Sequence, residues 1–284
     1  MAISIEVLPG VGAEILGVDI AGGLASSELE TIKQTFSQHG LVFFRNQKIS
    51  EADHIGLGEV FGDINVNRFF AANPEYPQIA MVSKEPDQIA NIGGGWHTDH
   101  SYDQEPALGS ILVARELPAS GGDTWFTSMY KAYDSLSDGL KETLEGLSAV
   151  HSAKHVFGPR GEYETTGSAS SRIGNAGAAV EMKDPIHPVV ISHPLSGRKA
   201  LYVNAGFTLR FDGWTDEESA PLLAYLYERA IADENITRFK WENGSIAFWD
   251  NRATWHYALN DYAGQRRVMH RVTIEGCALQ PVKH

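Results

Sequence analysis

The residues with the clearest chemical potential lie in the run Gly93-Gly94-Gly95-Trp96-His97-Thr98-Asp99-His100-Ser101-Tyr102. In an extended segment alternate side chains share a face, so the His97 imidazole and the Asp99 carboxylate point the same way while Thr98 points back. One histidine and one carboxylate are two of the three ligands in the facial set that holds non-haem Fe(II) and leaves other coordination positions open. The triplet alone is a weak signal, because 11 histidines in 284 residues are enough to produce it by chance. A third ligand, anchors for a cosubstrate and a fold that joins them must come from elsewhere in the chain.

His256 is the candidate third ligand. It stands 159 residues from His97 (256 minus 97), so only tertiary folding can join the two. On residue type alone His100, His151, His155, His187, His193 and His270 compete with it. Its neighbourhood favours it: Arg267 and Arg271 follow, sharing strand parity, and both can face inward with it. Four strand residues span roughly 13 Å, enough for one arginine to hold a cosubstrate and the other a substrate on either side of a metal. Guanidinium suits this because it binds carboxylate or sulfonate through paired hydrogen bonds and stays charged when partly buried. Arg266 has the opposite parity and is expected at the surface.

The elements that must position these groups are short strands braced by a few helices. Strands are expected at Ile3 to Val7, Ala13 to Val18, Leu41 to Phe44, Ile79 to Ser83, Gly109 to Ala114, after the Gly121-Gly122-Asp123 turn, and at Val189 to Ile191 and Ala200 to Val203. Three more follow at Ser245 to Trp249, Thr254 to Tyr257 and Arg267 to Ile274. Helices are expected after capping boxes at Ser27/Glu30 and Thr215/Glu218, after Ser50, and over Leu136 to Leu147. The segment 158–179 is rich in Gly, Ser, Thr and Ala and reads as a loop, a candidate lid. This pattern is mainly β with supporting helices (α+β), a jelly roll whose two facing sheets hold a site between them. One domain over 1–284 is expected, since β folds of this length commonly form a single unit.

Composition narrows the partners. The formal net charge is −13, which argues against nucleic acid and anionic membranes, both of which need basic surface. No apolar run approaches the roughly 20 residues that span a bilayer. Cys277 is the single cysteine and Met1 to Gly10 lacks the pattern of a secretory signal, so a cytoplasmic, disulfide-free protein is expected.

Taken together, Trp96-His97-Thr98-Asp99, Gly121-Gly122-Asp123-Thr124, Trp249-Asp250-Asn251-Arg252 with His256 following, and Arg266-Arg267-Val268-Met269-His270-Arg271 closely resemble the taurine dioxygenase family of Fe(II)/2-oxoglutarate-dependent oxygenases. The similarity runs from about Ile3 to Ile274 in the same order and with similar spacing. It implies a double-stranded β-helix of the cupin type, with Fe(II) bound by His97, Asp99 and His256, and 2-oxoglutarate and O2 as cosubstrates. It further implies that Arg267 and Thr124 hold the distal carboxylate of 2-oxoglutarate and that Arg271 grips the anionic head of a small organic substrate. The implied reaction is hydroxylation of that substrate with release of succinate and CO2. Around the substrate the chain departs from the taurine enzymes: Asn67, Phe70 and Gly93 stand where those carry histidine, tyrosine and asparagine. A sulfonate, sulfate or carboxylate with a less polar body than taurine is therefore expected, held by Arg271, Phe70 and Phe157. By analogy with related enzymes the chain is expected to form a homodimer or homotetramer. Two other classes compete on the residues alone: a jelly-roll metal hydrolase or isomerase without 2-oxoglutarate, and a non-catalytic sensor on the same fold.

Overall fold

Every residue of the strand Arg267–Ile274 is buried, and it runs antiparallel between Gly109–Glu116 and Ile79–Lys84. Apolar residues on both parities are what a strand covered on both faces requires. In the computed structural model, which describes residues 2–161 and 176–283, this strand belongs to an eight-stranded sheet. Its order is Ser4–Val7, Ala13–Leu16, Leu41–Phe44, Ile246–Asp250, Gly109–Glu116, Arg267–Ile274 and Ile64–Asn65, with Ile79–Lys84 also paired to Arg267–Ile274. Ala13–Leu16 and Leu41–Phe44 are parallel, and the helix Ser26–His39 supplies the crossover that a parallel pair needs.

The two faces of this sheet serve different cores. Leu41, Phe43, Leu112, Ala247, Trp249 and Met269 meet Phe126 and Phe239. Those two belong to a facing three-stranded sheet of Ile236–Phe239, Thr124–Ser128 and Thr254–Ala258. Val42, Phe44, Ile111, Val113, Ile246 and Phe248 instead pack on Ile32 and Phe36 of the helix Ser26–His39. Phe43 stacks on Phe239 at 4.0 Å on one side, and Phe36 on Phe248 at 3.9 Å on the other. Each such buried ring contributes about 1.5–3 kcal/mol of burial free energy. The expected pair of facing sheets is thus present, the larger one mixed rather than purely antiparallel and backed by helices. No helix among the described residues is long and apolar enough to cross a membrane.

Local signals mostly fall where the residue types place them. Ser50 caps Glu51–Glu59 and Thr215 caps Asp216–Ala230, each accepting from the N–H three residues on. Gly40 ends Ser26–His39 with φ 70°, a left-handed conformation that favours glycine. The expected Ser27/Glu30 box is displaced. The helix starts at Ser26, and the Glu28 carboxylate accepts from the Ala25 N–H at 2.8 Å, since a carboxylate at that offset reaches this orphan donor. Of the expected 158–179 loop, residues 162–175 lie outside the described residues. Ala176–Glu181 is helical rather than loop, as an alanine-rich run allows.

One turn ties the large sheet to the facing one. Asp250 ends the strand Ile246–Asp250 and accepts from Arg252 Nε and Nη2 at 2.8 and 2.7 Å, with His193 Nε2 at 3.1 Å. All three residues are buried. Burial pushes the Asp250 carboxyl up, but Arg252 and His193 outweigh it and hold the group below the ordinary carboxylate range. Asn251, between them, accepts from Trp249 Nε1 at 2.9 Å through its side chain and from the Thr98 hydroxyl through its carbonyl.

Candidate active site

His97 and His256 lie directly opposite each other in an isolated antiparallel bridge. The His256 N–H donates to His97 O at 2.8 Å and the His97 N–H to His256 O at 3.2 Å. This pairing brings together two imidazoles 159 residues apart, their ring centroids separated by 4.2 Å. The segment carrying His97 is not a continuous strand. The bridge is confined to His97; Asp99 and His100 already lie in a turn, in which His100 adopts φ 61° and its Nδ1 bonds Asp103 Oδ2 at 2.8 Å. Thr98 still points back to Asn251 while His97 and Asp99 point to the site.

His97, Asp99 and His256 offer ligand atoms that all lie within 4.8 Å of one another. Asp99 Oδ1 is 3.7 Å from His97 Nε2, and Asp99 Oδ2 is 3.8 Å from His256 Nε2. His97 Nδ1 bonds the Gly95 carbonyl at 2.7 Å, so that nitrogen carries the proton and Nε2 keeps its lone pair for a metal. His256 is held by packing instead, with Trp249 at 4.7 Å and Phe126 at 6.2 Å between ring centroids. Burial, with His97 nearby, pushes the His256 imidazole down to about 3 despite Asp99, so it is neutral at physiological pH. Burial alone would raise the Asp99 carboxyl. The Arg271 guanidinium, His256 and His97 outweigh that and hold it well below the usual range. Two imidazoles and one carboxylate, converging on one point, fit a divalent transition metal.

A cavity of ≈ 320 Å³ opens on this cluster. Thr124, Arg267, Arg271, Phe70, Phe157 and Gly93 all line it with the three converging residues. Arg267 and Arg271 are 5 % exposed each, and the Nε and Nη2 atoms of both are buried with no hydrogen-bond partner among the described residues. Buried cationic donors left open in pairs are the complement of an anion. Arg271 spends its remaining nitrogen on Asp99, Nη1 to Oδ2 at 3.0 Å, and lies 4.5 Å from the centroid of the Phe70 ring. Thr124 Oγ1 accepts from Trp241 Nε1 at 2.9 Å, which leaves its own proton to donate elsewhere. Arg266, of opposite parity, is exposed and pairs with Glu85 and Glu116, as expected. Asn67 is the exception among the ten expected site residues. It does not line the cavity; its Oδ1 accepts from the Phe69 and Phe70 N–H groups and so shapes the backbone that presents Phe70.

Sequence reasoning missed the loop Asn204 to Phe207. A Cβ built on Gly206 would stand 2.8 Å from His97 Cβ, and the Gly206 carbonyl bonds His155 Nε2 at 2.8 Å. Phe207 lines the cavity beside Phe157. No local signal marks this loop, which contacts His97 only through the tertiary fold. Replacing Gly206 with alanine should push His97 off position and weaken metal binding by about 10- to 100-fold, the usual cost of disturbing a ligand's support. Metal titration of a variant that still melts cooperatively checks this.

The sequence profile described as the taurine catabolism dioxygenase TauD, TfdA family matches residues 4–273. The chain belongs to this family. An alkylsulfatase of Acinetobacter baylyi is 33 % identical over 269 residues, covering 94 % of this chain and 82 % of the relative. An alpha-ketoglutarate-dependent sulfate ester dioxygenase of Pseudomonas putida is 32 % identical over 274 residues, covering 94 % of this chain and 87 % of the relative. A solved structure, AAD-2 in complex with Mn(II) and N-oxalylglycine, superposes with a TM-score of 0.79 at 26 % identity over all of both chains. This member of the TauD, TfdA family is therefore a 2-oxoglutarate-dependent dioxygenase, an oxidoreductase on a cupin-type jelly roll. That removes the hydrolase, isomerase and sensor alternatives.

Proposed function

We propose that this dioxygenase hydroxylates a small organic anion with an apolar body, with sulfate esters and sulfonates foremost, using Fe(II) held by His97, Asp99 and His256. The observation that carries this reading is the pair of buried arginines with open donors, both lining one cavity with the His-Asp-His set. Fe(II), when bound, supplies the redox chemistry with O2 that no side chain offers. Two relatives named for alkyl sulfate or sulfate ester chemistry support the substrate class.

In this reading the chain's own groups divide the work by position. His97 and His256 donate Nε2 lone pairs, and Asp99 adds the negative charge that keeps a divalent cation favourable in a buried site. Arg267, through its open Nε and Nη2, and Thr124, through its hydroxyl proton, hold the distal carboxylate of 2-oxoglutarate. The Arg271 fork holds the substrate's head, with Phe70 shielding that ion pair from water. Phe157, Phe207 and Val156 form the wall on which the substrate body lies. Gly93, with φ 77° and a Cβ position only 3.2 Å from His97 Cε1, leaves room beside His97 that a larger residue would fill. Asn67 serves this wall at one remove, by fixing Phe70.

The test is succinate release and O2 uptake with added Fe(II), 2-oxoglutarate and ascorbate against alkyl sulfates, sulfonates, phenoxyalkanoates and N-acyl amino acids. Product formation matched to succinate with an apolar sulfate ester or sulfonate is expected. Failure of 2-oxoglutarate to bind the metal-loaded protein, with no turnover on any member of the panel, would sink the reading. Arg271→Ala should uncouple the enzyme: some 2-oxoglutarate is consumed, but oxidised substrate falls to a small fraction of the succinate formed. An unchanged product-to-succinate ratio would show that Arg271 is not the substrate clamp.

A further inference from the structure

The turn that follows Asp99 carries polar groups that the site described so far does not use. His100 is buried there with φ 61°, a backbone conformation uncommon outside glycine. Strain of this kind persists only where surrounding contacts over-determine it. Here they do. His187 Nε2 lies 3.0 Å from both the Ser101 and the Asp103 carbonyl oxygens, and Asn204 Nδ2 donates to Ser101 Oγ at 2.9 Å. His100 Nδ1 bonds Asp103 Oδ2 at 2.8 Å.

The turn presents the other ring nitrogen of His100 to the segment that carries Phe70. A carboxylate only accepts, so the proton sits on Nδ1 and Nε2 offers a lone pair. Asn67 Nδ2 donates to it across 3.4 Å. The same amide accepts from the Phe69 and Phe70 N–H groups through Oδ1 at 2.9 and 3.0 Å, which settles which end of the amide is which. Arg68, next in the chain, pairs with Asp103 Oδ1 at 3.1 Å and ties the same two segments a second time. The Phe70 ring centroid then lies 4.5 Å from the Arg271 guanidinium, and Arg271 Nη1 returns to Asp99 Oδ2 at 3.0 Å. Because Asp99 and His100 are consecutive, these contacts close a circuit from Asp99 through His100, Asn67, Phe70 and Arg271 back to Asp99. It holds one converging carboxylate, one guanidinium with open donors and the aromatic face beside it in a fixed relation.

We propose that His100 is a positioning residue for the substrate: through Asn67 it sets Phe70 against Arg271, and so governs how tightly an anionic head is held and how much of the 2-oxoglutarate consumed yields product. This rests on the reading of Arg271 as the substrate clamp. Neither His100 nor Asn67 lines the cavity, so both act through the residues they hold.

The probe is hexyl sulfate, titrated calorimetrically into protein loaded with Mn(II) and N-oxalylglycine, with the product-to-succinate ratio measured separately on the Fe(II) enzyme. His100→Asn suits the left-handed backbone and removes the Nε2 acceptor. It should weaken hexyl sulfate roughly three- to tenfold, the worth of one hydrogen bond. The ratio should fall with it, while the affinities for Mn(II) and N-oxalylglycine stay at their wild-type values, a split that a merely structural role would not give. Asn67→Ala should do the same, and the double variant should be little worse than either single one, since both cut one chain of contacts. Should His100→Asn fail to fold, Asn67→Ala carries the comparison from the other end. Unchanged hexyl sulfate affinity, fully additive losses, or a parallel loss of Mn(II) affinity overturns the proposal. Wild-type protein that binds no hexyl sulfate would instead overturn the clamp itself.

Discussion

Exchanging Asp99 for alanine is expected to strip the protein of its metal and, with it, of turnover, while also destabilising the metal-free fold. The loss in metal affinity should exceed the roughly 10- to 100-fold typical of groups that only orient a ligand. The second effect comes from Arg271. Its Nη1 bonds Asp99 Oδ2 at 3.0 Å, and its other donors are already without partners among the described residues. Removing the carboxylate leaves a buried guanidinium with nothing to answer its charge, a change that costs about 3–5 kcal/mol. Asp99→Asn keeps an acceptor for Arg271 but not the charge, so it should lose metal with a smaller drop in stability. Metal content after dialysis, succinate formation and a melt of the metal-free protein separate these effects. A variant that keeps one tightly bound metal ion would refute the assignment of Asp99 as ligand.

Asp250→Ala should give the largest purely structural loss. Asp250 answers Arg252 and His193 in a site where all three are buried, so its removal should cost about 3–5 kcal/mol. For a chain of this size that lowers the melting temperature by roughly 6–20 °C. The sign with pH follows from the direction of the shift. The folded-state carboxyl is held below its ordinary value of 3.8. Its contribution is therefore fully present above about pH 4 and lost as pH falls through the folded value. The gap between wild type and variant should be widest near neutral pH and should narrow in acid. A double exchange of Asp250 and Arg252 for apolar residues of similar size should recover much of the loss, because it leaves no unpaired charge. A drop of less than about 2 °C in the single variant would mean that the buried pair contributes little.

The chemistry of the site was legible in residue types, and its assembly was not. Strand parity placed Arg267 and Arg271 inward and Arg266 outward because alternation is a property of the backbone. The motif beginning at Trp96 carried two of the three residues that converge, yet its segment proved to be a single bridge and a turn. Sequence cannot show that His100 takes φ 61° to reach Asp103. Resemblance to a family placed Asn67 at the substrate, whereas its side chain serves its own backbone. Gly206 escaped notice because it acts on a neighbour more than 100 residues away, His97. A lone glycine carries no sign of that partner.

The bridge between His97 and His256 also sets when the site can exist. A contact that closes 159 residues forms only after the intervening strands have found their partners, and such non-local pairings come late and slowly in folding. The two imidazoles therefore meet on a scaffold already built. A metal ion bound there would act as a latch on the finished fold, slowing its opening without guiding its formation.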